Sequence, residues 1–264
     1  MSAATHARQA ELDGVLDSQQ VRPGLAEELF SVADLLGGQA SLRNALSDST
    51  AGDPARRQLA GGLFAGRVSA PAQAVVEAAA GLRWSSGADL VAALERQGVR
   101  ALLRDAQLGG RLDRVEEELF RFSRIVAGDQ GLREVLEDRT ANLAGREEIV
   151  TGLLTGKADE VTIALARRAL RGADRTVGRT LDSYLALAAE ERNRAIAEVT
   201  VAVPLTADQA ERLRAALSRQ VGREVTLQVD IDPAVIGGVR VRLGDEVIEG
   251  TVAGRLAAAE RQLH

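Results

Sequence analysis

Leu25-Ala26-Glu27-Glu28-Leu29-Phe30-Ser31-Val32-Ala33-Asp34-Leu35-Leu36 comes back ninety residues later as Val115-Glu116-Glu117-Glu118-Leu119-Phe120-Arg121-Phe122-Ser123-Arg124-Ile125-Val126. The match continues without a gap. Gly38 falls on Gly128, Leu42-Arg43 on Leu132-Arg133, Leu46 on Leu136 and Asp48 on Asp138. Thr50-Ala51 falls on Thr140-Ala141, Arg56 on Arg146, Gly62-Leu63 on Gly152-Leu153 and Gly66 on Gly156. From Leu25 to Gly66 that makes 15 identities in 42 pairs, far above chance even for a chain rich in Ala and Leu. The chain is a duplicated unit.

Each copy reads as helix. Leu25, Leu29, Val32 and Leu36 form one helical stripe, and Val115, Leu119, Phe122 and Val126 form its repeat. A short second helix carries Leu42, Ala45 and Leu46, matched by Leu132, Val135 and Leu136. A third is expected to open at Asp53-Pro54, with Asp53 capping and Pro54 in the first turn, and to present Leu59 and Leu63, mirrored by Ile149 and Leu153. A fourth is expected after Ser69 and after Asp159, two different residues that both cap well. Gly38 and Gly128 follow the stripes at the offset where a left-handed residue often ends a helix. Longer helices are predicted near 86–105 and 176–195. The first of these either closes the first copy or opens the second.

After Ala195 the period changes from about 3.6 to 2. Val199, Val201 and Val203 alternate with polar or small residues, and Pro204 stops the strand. Thr206 and Gln209 have the spacing of a capping box, and the helix it opens carries Leu213, Ala216, Leu217 and Val221. Val225 to Ile231 and Val239 to Leu243 alternate again, Gly244-Asp245 suits a tight turn, and Val247-Ile248 returns. Val252, Leu256, Ala259 and Leu263 share a face of a last helix. The fold class is therefore mainly α with a small α/β C-terminal domain: two tandem helical-bundle repeats followed by a β-α-β-β-α unit. The boundaries are 1–107, 108–195 and 196–264, with helix 86–105 open to use by the second repeat.

Composition narrows the function. The 264 residues are 45% hydrophobic and 27% charged, a globular balance, and 2% aromatic, so the cores rest on Ala, Leu and Val. The net charge of −5 disfavours nucleic acid and anionic membranes, both of which are recognised through clustered positive charge. With no cysteine there is no disulfide, thiolate metal site or thiol nucleophile. No apolar run approaches the ~18 residues of a membrane span, and the polar N-terminus lacks a secretory pattern, so a soluble cytoplasmic chain is expected. His6 and His264 sit at opposite ends, where solvated side chains are the ordinary reading. Gly152-Leu153-Leu154-Thr155-Gly156-Lys157 is one residue short of a phosphate loop and lacks its hydroxyl. Its counterpart around Gly66 implies a helix end used twice. Runs such as Glu116-Glu117-Glu118 and the arginines Arg167, Arg168 and Arg171, interleaved with acids, read as solvated faces. Trp84 and Tyr184 read as single anchors. No catalytic, metal or cofactor site is expected.

The segment Asp232-Pro233-Ala234-Val235-Ile236-Gly237-Gly238-Val239-Arg240-Val241-Arg242-Leu243-Gly244-Asp245-Glu246-Val247-Ile248-Glu249-Gly250-Thr251-Val252-Ala253-Gly254-Arg255-Leu256 resembles the C-terminal signature of the F-type ATP synthase delta subunit, also called the oligomycin-sensitivity conferral protein. Ile236, Gly237, Gly238, Gly244, Asp245, Ile248, Glu249, Gly250, Thr251, Arg255 and Leu256 carry the likeness, and it extends back to about residue 88. Physically these glycines serve strand entry, hairpin turn and helix start, an architectural role.

The resemblance implies a stator subunit with no reaction of its own. Its helical domain would grip amphipathic N-terminal segments of α on the α3β3 head. Its C-terminal domain would hold the b-subunit stalk, so that rotation stays coupled to ATP synthesis at the cytoplasmic face of a bacterial membrane. The candidate α-binding groove runs along helices 86–105 and 176–195 and includes Leu90, Leu94, Leu102, Leu181, Leu185 and Leu187. The competing classes are a free-standing helical-repeat adaptor and a carboxylate-based lyase or hydrolase.

Overall fold

The computed structural model describes residues 3–20, 22–172, 176–193, 195–221, 225–233, 239–243 and 246–249. Twelve helices lie among them: α1 (Ala3–Asp17), α2 (Leu25–Gly38), α3 (Ala40–Ser47), α4 (Asp53–Phe64), α5 (Ala70–Gly81), α6 (Gly87–Leu108), α7 (Leu112–Gly128), α8 (Gln130–Glu137), α9 (Leu143–Leu154), α10 (Glu160–Ala169), α11 (Val177–Arg192) and α12 (Ala207–Val221). The strands are β1 (Ala195–Val201), β2 (Val225–Ile231), β3 (Val239–Leu243) and β4 (Glu246–Glu249). The fold is mainly α with a small α/β segment at its end.

The duplication is exact at the level of backbone class. Residues 31–70 and 121–160 pass through the same succession of helices and turns. Over 31–50 and 121–140 they also repeat the same order of buried, half-buried and exposed positions. Ser69 Oγ caps α5 by accepting from the Ala72 N–H, and Asp159 caps α10 by accepting from the Val161 N–H. Gly66 and Gly156 take positive φ, 69° and 74°, after α4 and α9. The glycine-rich run before Lys157 is thus a helix end in both copies.

Some local expectations are corrected. Gly38 and Gly128 do not end their helices in the left-handed region; both are the last residues of α2 and α7 and lack positive φ. One extended residue, Gln39 or Asp129, turns the chain directly into the next helix, so no left-handed residue is needed. The N-cap of α4 is Gly52, and Asp53, inside the first turn, pairs with Arg56 instead. Strand β1 ends at Val201, leaving Val203 exposed beyond it. The N-terminal residues form α1, which buries Leu12 and Leu16.

Helix α6 covers the ambiguous stretch near residue 86. It begins ninety residues before α11, and α1 shifted by ninety falls within it, the offset of the repeat. Every residue from Gln97 to Arg104 is buried, a pattern no one-faced helix shows.

Two compact units form. One gathers Met1–Gln20, Ser41–Leu90 and Asn193–His264, the other Val21–Ala40 and Val91–Arg192. In the first, α4 and α1 pack on α5, and Trp84 donates its indole N–H to the Ala79 carbonyl at 2.8 Å. The sheet of this unit has the order β2-β1-β3-β4. β1 and β2 are parallel, joined through α12, while β1/β3 and β3/β4 are antiparallel. Its core is Ala197, Val199, Val201, Leu217, Val225, Leu227 and Val241, backed by Leu205 and Leu213. The Gln209 side-chain oxygen accepts from the Thr206 N–H at 2.8 Å, completing the capping box. The expected helix over 252–263 lies outside the described residues. In the second unit α7 packs against α8, α10 and α11, and α10 against α9 and α11.

Candidate functional site

A polar hub joins the first copy's α2 to the second copy's helices. Arg168 on α10 is buried, yet it reaches Asp34 on α2 at 2.8 Å and Glu95 on α6 at 3.3 Å. Its guanidinium carbon lies 4.6 Å from the centroid of the Phe30 ring, a cation–π contact in a partly desolvated place. Arg171 adds a bond to Asp34 at 3.0 Å and one to Glu147 at 2.9 Å. Burial works against the charge of Arg168. The hydrogen bond to Asp34 and the charges of Glu95 and Asp34 outweigh it and hold its pKa above the usual guanidinium value. Beneath Phe30 sits Gly98 of α6, where an added Cβ would lie 2.5 Å from a ring carbon, so only glycine lets α2 and α6 approach this closely.

Tyr184 on α11 lies within range of the Glu95 and Arg168 charges, buried, with its hydroxyl making no hydrogen bond. Burial, then the Glu95 charge, push its pKa well up. Further along, Arg100 meets Glu191 at 2.6 Å, and both side chains are buried. Residues of opposite charge at 34, 95, 168, 100 and 191 therefore tie α2, α6, α10 and α11 into one body. No local pattern marks this hub, because Arg168 sits in an Arg-Arg pair that looks solvated and its partner Asp34 is 134 residues away.

The candidate groove leucines divide. Leu90, Leu94, Leu102 and Leu181 are buried, whereas Leu185 and Leu187 are half-buried. Of the C-terminal signature, Ile248 and Glu249 lie in β4, in register with Val241 and Arg240. Ile236, Gly237, Gly238, Gly244, Asp245, Gly250, Thr251, Arg255 and Leu256 lie outside the described residues. The large apolar side chains left exposed include Phe120 and Ile125 on α7, Val135 on α8, Leu59 on α4 and the pair Ile149 and Leu153 on α9. A cavity of about 240 Å³ opens between Leu136, Arg146, Ala169 and Val177, with Arg139 and Glu137 on its wall. Among the described residues no helix is long and apolar enough to cross a membrane.

Ion pairs tie the helical bundle together, and the described part of the signature, Ile248 and Glu249, lies in a strand. The family model for the ATP synthase delta (OSCP) subunit matches residues 95–263, from within α6 to the penultimate residue. The chain belongs to the ATP synthase delta (OSCP) family. Similar proteins include an ATP synthase subunit delta of Parafrankia sp. (strain EAN1pec), 47% identical over 90% of this chain and 86% of the relative. One of Streptomyces avermitilis is 45% identical over 98% and 96% of the two chains. One of Cutibacterium acnes is 40% identical over 100% of both. These relatives match across both copies, although the family model begins only within α6. This delta-family chain is a non-catalytic, peripheral-stalk subunit of ATP synthase, and it binds other subunits of that complex.

Proposed function

We propose that this delta-family subunit links the α3β3 head to the b-subunit stalk, with its helical repeats holding N-terminal segments of α and its α/β segment holding the end of b, on the cytoplasmic side of the membrane. The division into 1–107, 108–195 and 196–264, with α6 shared by the repeats, is part of this reading. The observation that carries it is the unbroken, 22-residue α6, buried all round from Gln97 to Arg104 and braced by Arg100–Glu191. A stator transmits torque without storing it in bending, and a helix enclosed on every side supplies that stiffness. Of the groove leucines, Leu185 and Leu187 are the ones left partly open to an α segment in the free chain.

The test is functional. Membranes stripped of this subunit should hydrolyse ATP but fail to pump protons with it, and adding back the full chain should restore pumping. Affinity isolation of the restored complex should bring down α and b in contact with it by chemical cross-linking. Undiminished pumping without the subunit would overturn the proposal.

A further inference from the structure

The repeat supplies its own template for a docking surface. In the first copy, α2 and α6 present Phe30, Asp34 and Glu95, and this face is covered by a helix, α10, through Arg168. Ninety residues on, α7 and α11, which pack together, carry Phe120, Arg124 and Leu185 at the equivalent positions of the repeat. Among the described residues they are left open or only partly covered. Phe120 is 56% exposed, Arg124 is exposed with no hydrogen-bond or ion-pair partner among the described residues, and Leu185 is half-buried. An aromatic ring held open beside an aliphatic residue on one rigid helix pair is the kind of patch that marks an interaction site.

The chemistry of the face has been inverted between the copies. Where Asp34 and Glu95 call for a cation, Arg124 and Leu185 call for a carboxylate and an apolar side chain. A second copy of this chain is a poor occupant. Its corresponding helix is α10, whose Arg168 is already buried in its own hub and would bring a like charge to Arg124.

We propose that the Phe120–Arg124–Leu185 face is a docking site for an acidic amphipathic helix of another ATP synthase subunit, one that sets an apolar side chain on Phe120 and a carboxylate against Arg124. The proposal rests on the stalk reading and deepens it by stating the partner's chemistry. Helix-in-groove recognition supplies the affinity through the apolar anchor, and the charge pair sets register.

The chain has no cysteine, so Ala127→Cys, exposed on α7 one turn beyond Arg124 and outside the proposed contacts, creates a single attachment point beside the face. The full-length variant is labelled there with a benzophenone maleimide, added to stripped membranes and irradiated once proton pumping has been restored. The expected result is one intersubunit adduct, mapped by mass spectrometry to a helical segment with a carboxylate within a turn of the attached residue. Adding Arg124→Glu should cut the adduct yield about tenfold, the weight of one charge pair turned repulsive. Replacing the mapped carboxylate by Lys in the partner should restore the yield. An adduct within the chain itself, a mapped segment without a carboxylate, or no intersubunit adduct in a pumping complex would each overturn the proposal. Failure of the unlabelled wild-type chain to restore pumping would take down the stalk reading, and this inference with it.

Discussion

The first and second helical copies fold alike and face outward differently. Both turn through Asp48-Ser49-Thr50 or Asp138-Arg139-Thr140, both end a helix on a left-handed glycine, and both bury an arginine at the same place, Arg56 and Arg146. Yet the same phenylalanine is sandwiched between a cation and Gly98 at position 30 and stands mostly in solvent at position 120. Duplication has preserved what each bundle needs for itself and released what its neighbour decides. Sequence identity between repeats therefore reports internal physics, and divergence at outward positions reports the neighbours.

The buried arginines offer the largest test of that contrast. Arg56 donates to the carbonyls of Asp48, Ala51, Ala80, Gly81 and Leu82 and to the Asp53 carboxylate. Arg146 donates to the Leu136 carbonyl at 2.9 Å, leaves its buried Nε without an acceptor and borders the cavity on its side of the repeat. Leu143 stands where the first copy has Asp53. Arg56→Ala should therefore cost about 3 kcal/mol or more, because it orphans several carbonyls at once, and Arg146→Ala about 1 kcal/mol. Urea midpoints at unchanged slope would measure both. Equal losses would show that the two sites are equivalent after all.

The phenylalanines come next. Phe30→Ala should cost about 2 kcal/mol by removing the ring from beneath Arg168 and opening space over Gly98. Phe120→Ala should change stability by less than about 0.5 kcal/mol, since most of that ring is in water. The same Phe120→Ala chain should bind the stalk complex more weakly, separating folding from docking. A stability loss at position 120 as large as that at position 30 would mean that this chain covers both.

Much of this contrast could be read before any coordinates. The duplication, the helical class, the capping of α5 and α10 and the alternation of the strands are all local, and local pattern fixes them. What was not legible has long-range causes. Leu90, Leu94, Leu102 and Leu181 lie on apolar stripes, but a stripe does not say which neighbour seals it, and here the chain's own helices seal it. Arg168 carries no mark that separates it from a solvated arginine until α2 is laid beside it. Helix α1 is faint in the sequence because Leu12 and Leu16 are nearly its only large apolar anchors in a run of Ala, Gln, Arg and Glu. The difference between Asp34 and Arg124 was visible in the alignment of the repeats, and it is the one sequence signal that points to the docking face.

The glycines test the other half of the contrast, the part the copies share. Gly66→Ala and Gly156→Ala should each cost about 1 kcal/mol, because both hold positive φ. Gly38→Ala and Gly128→Ala should instead stabilise by about 0.5 kcal/mol or more. Those positions are helical, and an added Cβ meets nothing within 4 Å. Opposite signs at the two pairs, and equal sizes within each pair, are the expected melting-temperature pattern. A different sign at Gly128 from that at Gly38 would show that the repeats diverge in backbone as well as in surface.

The smallest effect concerns the turn that both copies reuse. Asp48 accepts from the Thr50 hydroxyl at 2.7 Å and its backbone N–H at 2.8 Å, and Asp138 accepts from Thr140 at 2.6 Å and 2.9 Å. The threonine hydroxyl first, then its N–H, favours the ionised carboxylate and holds both groups below the ordinary aspartate range. A folded-state pKa below the unfolded one means that the native state binds fewer protons there. The contribution is thus fully present above the unfolded aspartate value near 3.8 and is lost as pH falls through the depressed value. Both side chains are in solvent, so the effect on melting will be slight and carboxyl chemical shifts are the better readout. Titration by carbon-13 NMR should show Asp48 and Asp138 shifted in the same direction. Thr50→Val should return Asp48 toward 3.8 without moving Asp138, and Thr140→Val should do the reverse. If either carboxyl titrates normally in the wild-type chain, the turn is not held by its threonine, and the equivalence of the two copies fails at its most local point.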